Sequence, residues 1–341
     1  MARAIVLGCA GYEVGASETA FFREADPLGF ILFARNCDHP DQVRALVDSL
    51  RESVGRADAP VLIDQEGGRV ARLKPPHWRA APPPARFGDL AERDPERAVR
   101  AAWINARLLA ADLAPLGITV DCTPLLDLRL PQTHGVIGDR AFGADPARVA
   151  ALGRAVCDGL MAGGVAPVVK HLPGHGRARV DSHEALPEVN TDAARLAETD
   201  FAPFAALRDA PWGMTAHVVY TAFDPRWPAT VSASVVAEVI RRRIGFDGVL
   251  ISDDVSMQAL DGDLRARTAG ALAAGCDVAL HCNGDLAEME QVAAAAGTLA
   301  PAAEARLDRA ARALAAARDT HVAGGVDGEA LRAELDDLLT L

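Results

Sequence analysis

Short apolar runs rich in β-branched residues recur along the chain, and most are followed by segments whose apolar positions repeat at helical spacing. The runs lie at 4–9, 29–33, 60–63, 118–122, 165–169, 213–216, 249–252 and 277–281. Helical periodicity covers 41–54, 95–114, 146–162, 191–207, 235–244 and 264–274, and Ala- and Glu-rich helices follow to the end. A short continuous apolar run reads as a strand buried on both faces. Strands alternating with helices form a parallel sheet, because parallel neighbours need a crossover connection. Eight such units predict a single-domain (β/α)8 barrel of the TIM type over residues 1–341. A doubly wound open sheet is the alternative, but no G-x-G-x-x-G follows the first run, against its dinucleotide-binding form. The Pro-rich stretch 74–84, which holds Trp78, reads as a rigid loop after the third strand and not as a linker between domains.

Polar residues gather at the C-terminal ends of these runs, the face on which barrel enzymes build their sites. Asp64 follows the third strand, Asp127 and Arg140 the fourth, and Lys170 and His171 the fifth. His217 ends the sixth, Asp253 and Asp254 the seventh, and Cys282-Asn283-Gly284 the eighth. The densest stretch is 170–183, KHLPGHGRARVDSH, a Gly-rich loop emptying from the fifth strand. Within it Asp181 stands two residues from His183, a spacing that lets a carboxylate hold an imidazole's tautomer and raise its basicity. A capping aspartate or a buried histidine accounts for any one of these positions, but a shared pocket accounts for their common placement.

Carboxylates (Asp64, Asp253), cations (Arg72, Arg140, Lys170) and imidazoles (His171, His183) suit a neutral ligand rich in hydroxyls, since each hydroxyl needs a donor and an acceptor. His171 and His175 are spaced as metal ligands on a helix would be, but Pro173-Gly174 between them breaks a helix, so no metal site is expected. Phosphate binding has cations but no P-loop motif. A Schiff-base lyase using Lys170 would need an unpaired lysine in an apolar pocket, and Lys170 has polar company.

Composition narrows the classes further. The net charge is −12, which disfavours nucleic acid as a partner, because such binding relies on clustered cations. The tight basic run Arg241-Arg242-Arg243 fits a helix C-terminus, where cations suit the dipole. The six cysteines are scattered without a C-x-x-C pair, as expected of buried thiols in a reducing compartment. Residues 6–9 imitate a lipoprotein cleavage box, but the apolar run before them is too short for a signal segment. No run approaches the ~20 apolar residues of a membrane span.

Longer motifs carry a resemblance. ILFARN (31–36), IDQEGGRVARL (63–73), VIGDRAFG (136–143), KHLPGHG with DSHEALP (170–187), TAHVVY (215–220), WPATVS (227–232) and ISDDVSM (251–257) occur in this order. Together the chain resembles glycoside hydrolase family 3, in particular bacterial β-N-acetylhexosaminidases of the NagZ type, over roughly 29–284. The resemblance implies a nucleophile at Asp253, a general acid/base at His183 with Asp181 as dyad partner, and substrate-binding residues Asp64, Arg72, Arg140, Lys170 and His171. It also implies a monomeric cytoplasmic enzyme without cofactor that removes N-acetylglucosamine from muropeptides during peptidoglycan recycling. Two places depart from the pattern: 132–135, reading QTHG, and Glu184 after the dyad histidine.

The implied reaction is two-step retaining hydrolysis: attack by Asp253, protonation of the leaving oxygen by His183, then hydrolysis of the glycosyl-enzyme by water activated at His183. An imidazole suits both proton transfers because its ordinary pKa of ~6.5 lies near neutrality. It also repels an anionic acceptor less than a carboxylate would, so phosphorolysis stands beside hydrolysis. A non-catalytic sugar-binding barrel is the alternative outside enzymes, and the presence of Asp253, Asp181 and His183 speaks against it.

Overall fold

The computed structural model describes residues 2–182, 185–322 and 328–340. Eight strands close into a parallel barrel: β1 (Arg3–Leu7), β2 (Pro27–Leu32), β3 (Val61–Ile63), β4 (Val120–Asp121), β5 (Ala166–Leu172), β6 (Trp212–Thr215), β7 (Val249–Asp254) and β8 (Val278–His281). Each pairs with its neighbours in sequence, and β1 closes onto β8 in the register Ile5↔Ala279. Each expected run overlaps one strand, with ends shifted by up to three residues and β4 trimmed to two.

Period-two alternation divides the core. Val6, Leu62, Val168, Met214, Ile251 and Leu280 pack together inside the barrel. Their neighbours Leu7, Ile63, Val169 and Leu250 face outward and are covered by the helical layer. The C-terminal helix Gly328–Leu339 lies on Pro95–Leu113, where Arg100 grips Glu334 through two hydrogen bonds of 2.7 and 2.8 Å.

The helix expected over 191–207 is two short helices, Ala193–Glu198 and Ala202–Ala206. The break turns Asp200 inward, where it accepts from Thr199 Oγ1 at 2.6 Å and from Arg177 Nε at 2.7 Å. Pro203 then opens the second helix, a position that does not need its missing N–H. Two helices, Ala16–Ala25 and Pro84–Ala91, and a three-stranded sheet of Glu188–Val189, Val219–Tyr220 and Asp224–Pro228 were not expected.

That small sheet positions the site. Tyr220 Oη donates to the Gly174 carbonyl at 2.7 Å, and Val219 N–H donates to the Pro187 carbonyl at 2.9 Å. The loop from 174 to 187 is therefore pinned at both ends by adjacent residues. Residues 132–135, which depart from the family pattern, brace it from outside: Thr133 Oγ1 donates to the Gly176 carbonyl at 2.5 Å, and His134 N–H to the Ala178 carbonyl at 3.2 Å.

Gly176 passes so close to Leu128 that a Cβ would collide with its carbonyl oxygen. Gly176→Ala is expected to destabilise the fold by about 1–3 kcal/mol, the usual range for overpacking. A lowered urea midpoint together with reduced turnover is the expected result, because the displaced backbone belongs to the loop beside the site.

Candidate active site

The alternation that fills the barrel also aims the site. Two residues beyond Leu62, Val168 and Ile251, on the same face, stand Asp64, Lys170 and Asp253. All three open into a cavity of about 260 Å³ at the C-terminal end of the strands, with Arg72, Arg140 and His171 also in its wall. The structure thus brings together six of the eight residues singled out from the sequence.

An ion network forms one side. The buried Lys170 ammonium lies 2.7 Å from Asp64 Oδ1 and 2.7 Å from Glu66 Oε1. Arg140 closes on Glu66 through two parallel hydrogen bonds, Nε to Oε2 at 2.9 Å and Nη2 to Oε1 at 2.8 Å. Arg72 Nη2 donates to Asp64 Oδ2 at 3.0 Å, and its guanidinium stacks 4.9 Å from the Phe33 ring centroid. Burial pushes the Asp64 carboxyl up, but Lys170 and Arg72 outweigh it and hold it well below the usual carboxylate range. Glu66 is likewise held down, against burial, by Lys170 and Arg140. Lys170 is raised in turn: burial alone would lower it, and Asp64 and Glu66 reverse that.

Local sequence explains why Arg72 returns to the site. Gln65 is buried and clamps the turn: its Oε1 accepts from Arg72 N–H at 2.8 Å and Leu73 N–H at 3.1 Å, and its Nε2 donates to the Leu73 carbonyl at 2.9 Å. Gly67 makes the turn possible, with φ 99° and no room for a Cβ against the Pro82 carbonyl.

His171 is oriented by Asp127. Its Nδ1 lies 2.7 Å from Asp127 Oδ2, and the other carboxylate oxygen accepts from His175 N–H at 2.6 Å. Nδ1 is thereby committed, leaving Nε2 for the cavity. Burial pushes the His175 imidazole down to about 4, despite Asp127 nearby, so that ring is neutral at neutral pH. Its Nδ1 has no hydrogen-bond partner among the described residues.

The adjacent aspartates of β7 have different surroundings. Asp254 is tied down: Oδ1 accepts from Ser256 N–H at 3.0 Å and Cys282 N–H at 3.3 Å, and Oδ2 from Ser256 Oγ at 2.7 Å. Asp253 Oδ1 accepts from Asp254 N–H at 2.8 Å. Burial would raise the Asp253 carboxyl, yet the His217 and His171 imidazoles, the Asp254 N–H and Lys170 hold it below its ordinary value. Asp253 is therefore an ionised carboxylate at the cavity wall.

Asp181 stands on the neighbouring loop, and its carbonyl accepts from Ala185 N–H at 3.0 Å. Ser182 next to it lines the cavity. His183 lies outside the described residues. Sequence reasoning missed Glu66, which looked like a variable position beside two glycines. Its signal was the two-residue step from Asp64, which puts both carboxylates on one side. It also passed over Phe33 and Met257 in the wall, since apolar side chains at strand ends look like core; Cys282, placed at this face from the sequence, lies there too.

The model of the glycosyl hydrolase family 3 N-terminal domain matches residues 21–317. A β-hexosaminidase of Pseudomonas aeruginosa is 38% identical over 319 residues, 91% of each chain. One of Bordetella avium is 39% identical over 285 residues, 82% of this chain and 80% of that one. The crystal structure of NagZ from Neisseria gonorrhoeae in complex with N-trifluoroacetyl-D-glucosamine superposes with a TM-score of 0.87 at 29% identity, covering 99% of this chain and 98% of the other.

Two outcomes follow from the ion network. Glu66→Gln leaves Arg140 and Lys170 facing a neutral amide and should cost on the order of 3 kcal/mol, as breaking a buried pair does. The second concerns pH. Asp64, Glu66 and Asp127 are all depressed in the folded state. Their stabilisation is therefore full above the unfolded carboxylate pKa of ~4 and is lost as pH falls below it. Urea denaturation between pH 6 and 3, at about half-unit steps, should show stability falling at the acid end. A smaller slope is expected for Asp64→Asn, and an unchanged slope would remove Asp64 from the account.

Proposed function

We propose how a chain that belongs to glycosyl hydrolase family 3 uses this cavity: as a retaining exo-β-N-acetylglucosaminidase acting through a covalent glycosyl-Asp253 intermediate. The chain is a β-N-acetylhexosaminidase by that membership and by its β-hexosaminidase relatives. The single observation that carries the mechanism is the contrast at the end of β7. Both aspartates line the cavity, but Asp254 has its carboxylate engaged by Ser256 and Cys282, whereas the ionised Asp253 carboxylate accepts from the Asp254 N–H.

In this reading the terminal sugar lies against Asp64, Arg72, Arg140, Lys170 and His171. Asp64 and His171 Nε2 are acceptors for its hydroxyls, and the cations are donors. Asp253 attacks the anomeric carbon and the bond to the leaving oxygen breaks as His183 protonates it. His183 then takes a proton from water, which cleaves the glycosyl-enzyme and frees Asp253. Asp181 supports the imidazolium form of His183 by charge and orientation. The pinned ends of the 174–187 loop fit this task, because they hold the segment that carries Asp181. The natural substrate we infer is the N-acetylglucosaminyl anhydromuropeptide of peptidoglycan recycling. The enzyme would meet it in the cytoplasm as a monomer of one catalytic domain, without a cofactor. Among the described residues no helix is long and apolar enough to cross a membrane.

A 2-fluoro glycosyl donor should accumulate on the wild-type enzyme, and peptide mapping should place the sugar on Asp253. Label on Asp254, or an inverted anomeric product, would overturn the mechanism. Asp253→Ala should abolish turnover while sugar binding stays measurable. His183→Ala should lose ~10²–10⁴-fold on poor leaving groups and far less on nitrophenyl glycosides, whose departure needs little protonation. Equal losses on both count against His183 as the acid. Release of sugar 1-phosphate in phosphate buffer would convert hydrolysis into phosphorolysis.

A further inference from the structure

His217 follows β6 and takes no part in the cavity wall, yet it is fully buried among polar groups directly behind the nucleophile. Its Nε2 lies 2.9 Å from the Asp254 carbonyl oxygen. A carbonyl can only accept, so Nε2 carries a hydrogen. Its Nδ1 lies 2.7 Å from Thr230 Oγ1, and Thr230 Oγ1 lies 2.8 Å from Thr215 Oγ1. Thr215 Oγ1 in turn accepts from Asp253 N–H at 3.4 Å. Thr215 and Thr230 are as fully buried as His217.

These contacts form a loop that leaves the backbone at Asp253 N–H and returns to it at the Asp254 carbonyl. Two observations set the direction of its protons: the Asp254 carbonyl places the hydrogen on Nε2, and the ring carries no second one. Burial lowers the His217 imidazole, which is therefore neutral. With its one hydrogen on Nε2, Nδ1 must accept, so Thr230 donates to it. Thr230 has only one proton, so Thr215 donates to Thr230. Thr215 is then left with a lone pair for the Asp253 amide. Thr230 Oγ1 also lies 3.1 Å from the Ala216 carbonyl, but the shorter contact to a bare Nδ1 directs its proton to His217.

We propose that His217 is a positioning residue for the glycosylation step, locking the Asp253–Asp254 segment from both sides through the Thr230 and Thr215 hydroxyls as the neutral Nε2–H tautomer. The inference rests on the reading of Asp253 as nucleophile. Its mechanical content is simple. The nucleophile's carboxylate hangs from a backbone segment whose N–H and next C=O are both fixed by groups that touch no substrate. Attack geometry tolerates little error, and a displacement of ~1 Å costs on the order of 10²-fold in rate.

Two measurements test it. In the wild-type enzyme labelled with ¹⁵N-histidine, and with His217 assigned through its backbone resonances, Nε2 should be pyrrole-like and Nδ1 pyridine-like at neutral pH. A charged ring or the opposite tautomer overturns the proposal, whatever any variant does. The second measurement is kinetic and uses a dinitrophenyl β-N-acetylglucosaminide. His217→Asn offers an acceptor near the Nδ1 position but no donor to the Asp254 carbonyl. His217→Gln keeps a donor near Nε2. The Asn variant should lose on the order of 10²-fold in kcat with KM unchanged, and the Gln variant should recover most of it. Thr230→Val should fall with the Asn variant. Equal losses for Asn and Gln, or a loss in KM alone, would reduce His217 to a packing residue. Failure of the nucleophile reading is separate: it would appear as a fluoro-sugar label elsewhere than Asp253 in the wild type.

Discussion

The site depends on one ammonium group. The chain contains only two lysines, Lys74 and Lys170, and otherwise uses arginine for its cations. Lys170 is the one that is buried, between Asp64 and Glu66 at 2.7 Å from each. A guanidinium there would present a planar fork suited to one carboxylate. The compact ammonium can bridge two carboxylates that arrive from different directions. It is the largest single charge opposing the burial penalty on both carboxylates. Arg140 and Arg72 then approach the same carboxylates from their far sides, and each is planar where planarity is useful: Arg140 is bidentate on Glu66, and Arg72 stacks on Phe33.

This order of construction runs outward through the loops. Arg72 reaches Asp64 only because Gln65 clamps the Gly67 turn, and Arg140 reaches Glu66 from the loop after β4. Asp127, also from that loop, holds the ring of His171 and the backbone of His175, so it spans the start of the β5 loop. Tyr220 and the small sheet fix where that loop leaves and rejoins the fold. Ligand-facing groups on irregular backbone are thus held by hydrogen bonds to other loops, not by the barrel alone. That is how loops achieve the precision that strands supply by pairing.

The barrel was legible in the sequence because buried parallel strands are continuous apolar runs and the helices between them are amphipathic. Asp64, Lys170 and Asp253 were legible for a related reason: each extends the inward parity of a strand by one step. The remainder lacked a periodic signal. Glyco-loop elements such as Glu188–Val189 and Val219–Tyr220 are two residues long and leave no alternation to read. The split at 199–201 was hidden because Thr199 and Asp200 sit in a segment of good helix formers, and only their tertiary partner Arg177 explains the turn. Glu66 was missed because its partners, Lys170 and Arg140, lie 104 and 74 residues away in the chain. His217 looked like one more strand-end histidine until its two nitrogens had named partners.

Charge placement connects the network to the chemistry. Lys170, Arg72 and Arg140 exceed Asp64 and Glu66 by one positive charge, and this surplus lies on the side where the proposed sugar hydroxyls bind. Asp253 supplies the opposite charge on β7. A neutral sugar held between them lies in a field directed from its hydroxyl edge towards its anomeric carbon. The oxocarbenium-like transition state develops positive charge at that carbon. The fixed carboxylate stabilises it more than it stabilises the neutral ground state, which is the condition for raising kcat and not only binding. Asp254 also lines the cavity, but its carboxylate is engaged in hydrogen bonds to Ser256 and Cys282. The proposed nucleophile, Asp253, is held by the Asp254 N–H.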